Sequence, residues 1–109
     1  MKICILGTEY TILEQSQEEN EKLAECDGYC DKTSKTIVVT TKDKQCDLDD
    51  FSIYQKKVKR HELIHAFLFE SGLHENWKHD TYGHDESYVD WIATQFPKLI
   101  EAFKAADAL

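Results

Sequence analysis

The residues best suited to chemistry in this chain are His61, Glu62 and His65, in the run His61-Glu62-Leu63-Ile64-His65. On a helix, side chains four apart stand on one face, so both imidazoles can reach a single ion. Glu62 lies roughly 100° further round. There its carboxylate can approach a water on the ion without ligating it. Imidazole nitrogen suits Zn²⁺, and a catalytic zinc keeps one position open for water. With five histidines in 109 residues, a chance run of this pattern is rare, about 0.02 expected. The plain alternative is a helix carrying two exposed or core-satisfied histidines.

Two imidazoles need a third ligand. The longer pattern with Gly and His further along the same helix is excluded, because Leu68 and Ser71 occupy those positions. Glu86 is the favoured candidate. It falls in the first turn of a second expected helix, which can pack antiparallel on the first and present Glu86 with Val89, Asp90 and Ala93. His84, His74, His79 and Cys46 are the alternatives, and Cys46 would give a deformylase-like Cys-His-His set. Asp90, one turn beyond Glu86, can accept the outer N–H of His61 or His65 and fix its tautomer. His84, Tyr82 and Tyr88 are candidates to stabilise a developing oxyanion. Cys26 and Cys30 have metal-compatible spacing but no second Cys pair, so a structural zinc there is not expected.

The elements that must hold these residues divide the chain in two. Residues 2–6 and 10–13 are β-prone runs around Gly7-Thr8-Glu9, a hairpin pattern. Residues 16–25 suggest a short helix, Asp27-Gly28 a turn, and Asp31 to Lys35 a turn leading into the β-branched run Thr36-Ile37-Val38-Val39-Thr40-Thr41. The expectation is an α+β fold, with three or four antiparallel strands in residues 1–41 beside two main helices. The first helix spans 47–71, capped by Asp47, Asp49 or Asp50, with Gly72 left-handed after it. The second spans 85–105. Its stripe of Tyr88, Val89, Ile92, Ala93, Phe96, Leu99, Ile100 and Phe103 should face the core, and Pro97 should kink or break it.

Length and composition fit one ordinary globular domain: 41% apolar, 31% charged, and only five Gly and Pro together. Collagen-like, low-complexity and disordered chains are excluded. A net charge of −8 disfavours nucleic acid as a partner. Only residues 32–69 are net positive, through Lys56, Lys57, Lys59 and Arg60 among others. That run reads as a solvated helix face or as a patch steering an acidic partner. No stretch approaches a membrane span and no export signal is visible, so the expected compartment is the cytoplasm, with Cys4, Cys26, Cys30 and Cys46 as reduced thiols.

The residues His61-Glu62-Leu63-Ile64-His65-Ala66-Phe67 and Glu86-Ser-Tyr-Val-Asp90-Trp91-Ile92-Ala93, with Phe96-Pro97, resemble small phage and prophage metallopeptidase-like proteins of Gram-positive bacteria. More distantly they resemble the ImmA/IrrE family, over residues from about 55 to 97. The resemblance implies a minimal gluzincin-like fold, Glu86 as ligand, and Asp90 where that family has Asn. Some members of the family cut repressors, often as longer chains. The leading expectation is therefore a zinc-dependent peptidase acting on a protein or peptide, with His61, His65 and Glu86 as ligands and Glu62 as general base. The alternatives are a non-catalytic, metal-stabilised interaction module and a deformylase-like hydrolase of small amides.

Overall fold

The chain opens with two hairpins. Strands β1 (Lys2–Ile5) and β2 (Thr8–Gln15) pair antiparallel across Leu6 and Gly7, both at positive φ (48° and 89°), as a two-residue turn of matching twist requires. Strands β3 (Gly28–Asp31) and β4 (Thr36–Thr40) pair antiparallel across the expected Asp31–Lys35 turn. There the Asp31 carboxylate accepts from the Thr33 hydroxyl and from the Thr33 and Ser34 N–H groups, and these bonds lower its pKa to about 2. The computed structural model describes residues 1–41, 46–76 and 85–109.

The hairpins lie side by side in the order β1-β2-β4-β3. The expected count of strands is met, but the sheet is mixed rather than antiparallel, because β2 and β4 run parallel, Ile12 beside Ile37 and Leu13 beside Val38. Each hairpin is a local pairing that its turn specifies. Their relative direction depends on the link from 16 to 27, about a dozen residues, which is long enough for a parallel crossover. The helix expected over 16–25 shrinks to one 3-10 turn, Glu21–Ala24, capped by Asn20 and anchored by the buried Leu23. Gly28, expected in a turn, instead opens β3.

Helix α1 (Phe51–Glu70) lies across one face of this sheet, with Val58 and Ala66 in one core with Ile5, Tyr10, Ile12, Ile37 and Val39. Of the three Asp candidates, Asp50 is the cap, accepting from the Ser52 N–H. Past the helix end Gly72 takes the left-handed conformation (φ 80°), followed by a single turn, α2 (Leu73–Asn76). The last turn of α1 is tied to both hairpins. The Glu70 carboxylate accepts from Tyr10 Oη (2.8 Å), Thr8 Oγ1 (3.0 Å) and Lys35 Nζ (2.6 Å), and these donors hold it below the usual carboxylate range.

Helix α3 (Glu86–Ala105) packs on α1 through Val89 and Ala93, both fully buried. The rest of its apolar stripe is broader than α1 can cover, and Tyr88, Phe96 and Phe103 are exposed rather than in the core. Pro97 does not break the helix. The carbonyl that its missing N–H leaves without a helical donor, that of Ala93, accepts from Arg60 Nε at 2.6 Å. The basic run is likewise engaged internally, Lys57 with Asp90 and Lys59 with Glu14. This fits a helix face rather than a steering patch.

Gly28 sets how closely β3 approaches α1. A Cβ there would stand 2.8 Å from Val58 Cγ1 and 2.9 Å from the Val38 carbonyl oxygen, and the latter belongs to a paired strand that cannot move aside. Gly28→Ala is expected to cost about 1–3 kcal/mol of stability by overpacking, read from the midpoint of urea unfolding at unchanged slope.

Candidate metal centre

Two helices deliver the three ligand candidates. α1 carries His61 and His65 one turn apart, with ring centroids separated by 4.8 Å. α3 starts at its cap, Asp85, which accepts from the Ser87 N–H and so fixes the first turn in which Glu86 stands. The two imidazole Nε2 atoms are 3.1 Å apart, and Glu86 Oε2 is 3.2 Å from each. Three groups with lone pairs thus form a nearly equilateral triangle. His61, His65 and Glu86 are a group that could hold a metal ion.

The outer side of His61 supports this arrangement. Its Nδ1 lies 3.3 Å from Asp90 Oδ1, and Lys57 Nζ contacts the same oxygen at 2.5 Å. Lys57 keeps Asp90 ionised, its pKa lowered. An Nδ1–H donated to that carboxylate leaves Nε2 as the bare nitrogen, the tautomer that ligates. His65 is held differently, its ring stacked on Phe69 at 6.1 Å and 20°.

Glu62 points to the same place from the neighbouring face of α1. It is only 7% exposed, and no donor among the described residues hydrogen-bonds its carboxylate. Burial, and secondly the charge of Glu86, push its pKa from 4.5 up to about 7. A cleft of about 370 Å³ opens over it. One wall is β3, with Gly28, Tyr29 and Cys30; the other is α1, with His61, Glu62, His65 and Phe69; Glu86 stands at the rim. Burial, then the Glu62 charge, push the Cys30 thiol up to about 12, so it stays protonated.

The structure thus brings together His61, Glu62, His65, Glu86 and Asp90. It does not bring in Cys46, which lines a separate cavity with Asp27, Thr40 and Tyr54. His74 packs edge-on against Phe69, at 4.7 Å, outside the ligand group. Tyr88 is exposed on α3 and is not among the residues that line the cleft. His79, Tyr82 and His84 lie outside the described residues. Cys26 is exposed and donates to the Lys22 carbonyl, whereas Cys30 lines the cleft. Sequence reasoning missed the β3 wall. The strand is only four residues long and begins with a glycine that reads as a turn.

Comparison with protein-family models, with curated proteins and with solved structures finds no match to this chain. No helix among the described residues is long and apolar enough to cross a membrane.

Burial of Glu62 makes the metal-free chain sensitive to pH. Below about 4.5 the carboxyl is protonated whether folded or unfolded. Between there and about 7 the unfolded chain ionises while the folded one resists, so the stability contribution is lost as pH rises across that window. The loss is of the order of 2–3 kcal/mol. Urea titrations of metal-free wild type and Glu62→Gln should differ by this slope, which vanishes in the variant. Lowered groups such as Glu70 and Asp90 act with the opposite sign in both proteins and cancel in the comparison.

Proposed function

We propose that this chain is a zinc-dependent peptidase, with His61, His65 and Glu86 holding the ion and Glu62 acting as general base. The observation that carries the reading is the ligand triangle with a buried carboxylate beside it that has no hydrogen-bond donor among the described residues. Ligands at zinc distances in a tetrahedral arrangement stand about 3.3 Å from one another. The three edges here measure 3.1, 3.2 and 3.2 Å, so the side chains fit the ion almost as they stand. An acceptor-rich pocket of this kind also suits a cation on electrostatic grounds, since Glu62, Glu86 and Asp90 crowd around two imidazoles.

Bound zinc supplies Lewis-acid polarisation of the scissile carbonyl and lowers the pKa of water from 15.7 toward about 7. Glu62 takes one proton from the attacking water as the new C–O bond forms. It delivers that proton to the nitrogen as the C–N bond breaks. Asp90 and Lys57 hold His61 in its ligating tautomer, and Phe69 holds the ring of His65.

A peptide is favoured as substrate because β3 is the last strand of the sheet, paired on one side only, and its residues line the cleft. An extended segment can add there by main-chain hydrogen bonds. The resemblance to phage and prophage metallopeptidase-like proteins points the same way. The deformylase-like reading loses its distinguishing ligand, because Cys46 stands in another cavity.

The test is Glu62→Gln assayed with zinc on a mixed pool of unstructured peptides, with new N-termini as readout. The variant should bind one zinc per chain as wild type does, and lose cleavage by at least about 100-fold. His65→Ala should lose both. Unchanged cleavage in Glu62→Gln would refute the assigned role. A wild-type zinc form that cleaves nothing, with His65→Ala unfolded, would favour an interaction module instead.

A further inference from the structure

Arg60 makes an unusual contact that no part of the proposed chemistry uses. Its Nε donates to the main-chain carbonyl of Ala93 on α3, at 2.6 Å. An interior helical carbonyl normally accepts from the N–H four residues ahead. For Ala93 that residue is Pro97, which has no N–H. The acceptor is therefore free because of the proline. It is also buried, since Ala93 is wholly shielded from solvent. A buried carbonyl without a donor is costly, so Arg60 has one strongly preferred place to bond.

We propose that Arg60 is a positioning residue for the metal centre, pinning α3 along α1 through the carbonyl that Pro97 frees, so that Glu86 meets His61 and His65. This rests on reading those three residues as the ligand set. Arg60 directly precedes His61, and Ala93 lies seven residues, about two turns, beyond Glu86 on the same helical face. The bond therefore links the residue beside the first ligand on α1 to the helix that carries Glu86. The remaining contacts define the register weakly. Val89 and Ala93 are buried apolar side chains, whose contact carries no directional bond. The Lys57–Asp90 pair is partly exposed, with the Asp90 side chain 52% accessible. A slip of one residue moves Glu86 by about 1.5 Å, enough to take its oxygen out of the triangle.

The test compares Arg60→Met with Arg60→Gln. Both remove the positive charge and reach as far as the position of Arg Nε, without the rest of the guanidinium. Only glutamine retains a donor nitrogen where Arg has Nε. Zinc affinity is measured by competition with a chromophoric chelator, independently of any cleavage. Arg60→Met should bind zinc about tenfold more weakly than wild type. Arg60→Gln should stay within about threefold of wild type. Pro97→Ala, which returns a helical donor to Ala93, should also weaken binding. Arg60→Met combined with Pro97→Ala should then be no weaker than the weaker single variant, because both cut one link. Arg60→Met at wild-type affinity, Arg60→Gln as weak as Arg60→Met, or factors that multiply in the double variant would each overturn the proposal. If Arg60→Met does not fold, Arg60→Gln and Pro97→Ala decide it by the same criteria. A wild-type chain that takes up no zinc overturns both the ligand assignment and this role. Zinc uptake that ignores Arg60 overturns only the latter.

Discussion

Glu86 reaches His61 and His65 only because α3 lies antiparallel on α1, with Val89 and Ala93 buried at the contact. Every other feature of the candidate site depends on that packing. It sets the three edges of the ligand triangle and places Asp90 behind His61. It also puts Glu86 beside the cleft that β3 and α1 line. Polar links supplement this apolar contact: Asp90 to Lys57, and Arg60 to the carbonyl freed by Pro97. At the other end of α1, Glu70 ties the helix to both hairpins through Thr8, Tyr10 and Lys35. The first ligand helix is thus fixed to the sheet, and the second is fixed to the first.

Charge gives the cleft its character. A carboxylate buried as deeply as that of Glu62 ordinarily has donors, and this one has none among the described residues. Instead it shares the cleft with Glu86, whose charge raises its pKa further. Such an arrangement costs stability in the metal-free chain, and a divalent ion between the two would offset that cost. Strain of this kind concentrates at sites selected for function rather than for stability. Gly28 belongs to the same design, since any side chain there would hold β3 away from Val58 and Glu62.

Much of the site is legible in the sequence because it rests on local periodicity. His61 and His65 are one turn apart whatever the surroundings, and the acid at Glu86 opens an amphipathic helix that an Asp caps. Strands β1, β2 and β4 and both hairpin turns are legible for the same reason, since residue type and spacing determine each. Long-range geometry is not. The parallel pairing of β2 with β4 depends on how two hairpins are set side by side, which no local pattern encodes. β3 is too short, and too close to a glycine, to register as a strand. The apolar stripe of α3 promises more burial than α1 can supply, so Phe96 and Phe103 remain at the surface. Pro97 reads as a break because a sequence cannot show that Arg60 takes over the orphaned carbonyl.

Calorimetric titration of metal-free protein with zinc decides whether His61, His65 and Glu86 converge on one ion. A single site per chain is expected, lost in His65→Ala and much weakened in Glu86→Gln. Absence of uptake by the wild-type chain, or binding that survives both substitutions unchanged, would contradict it.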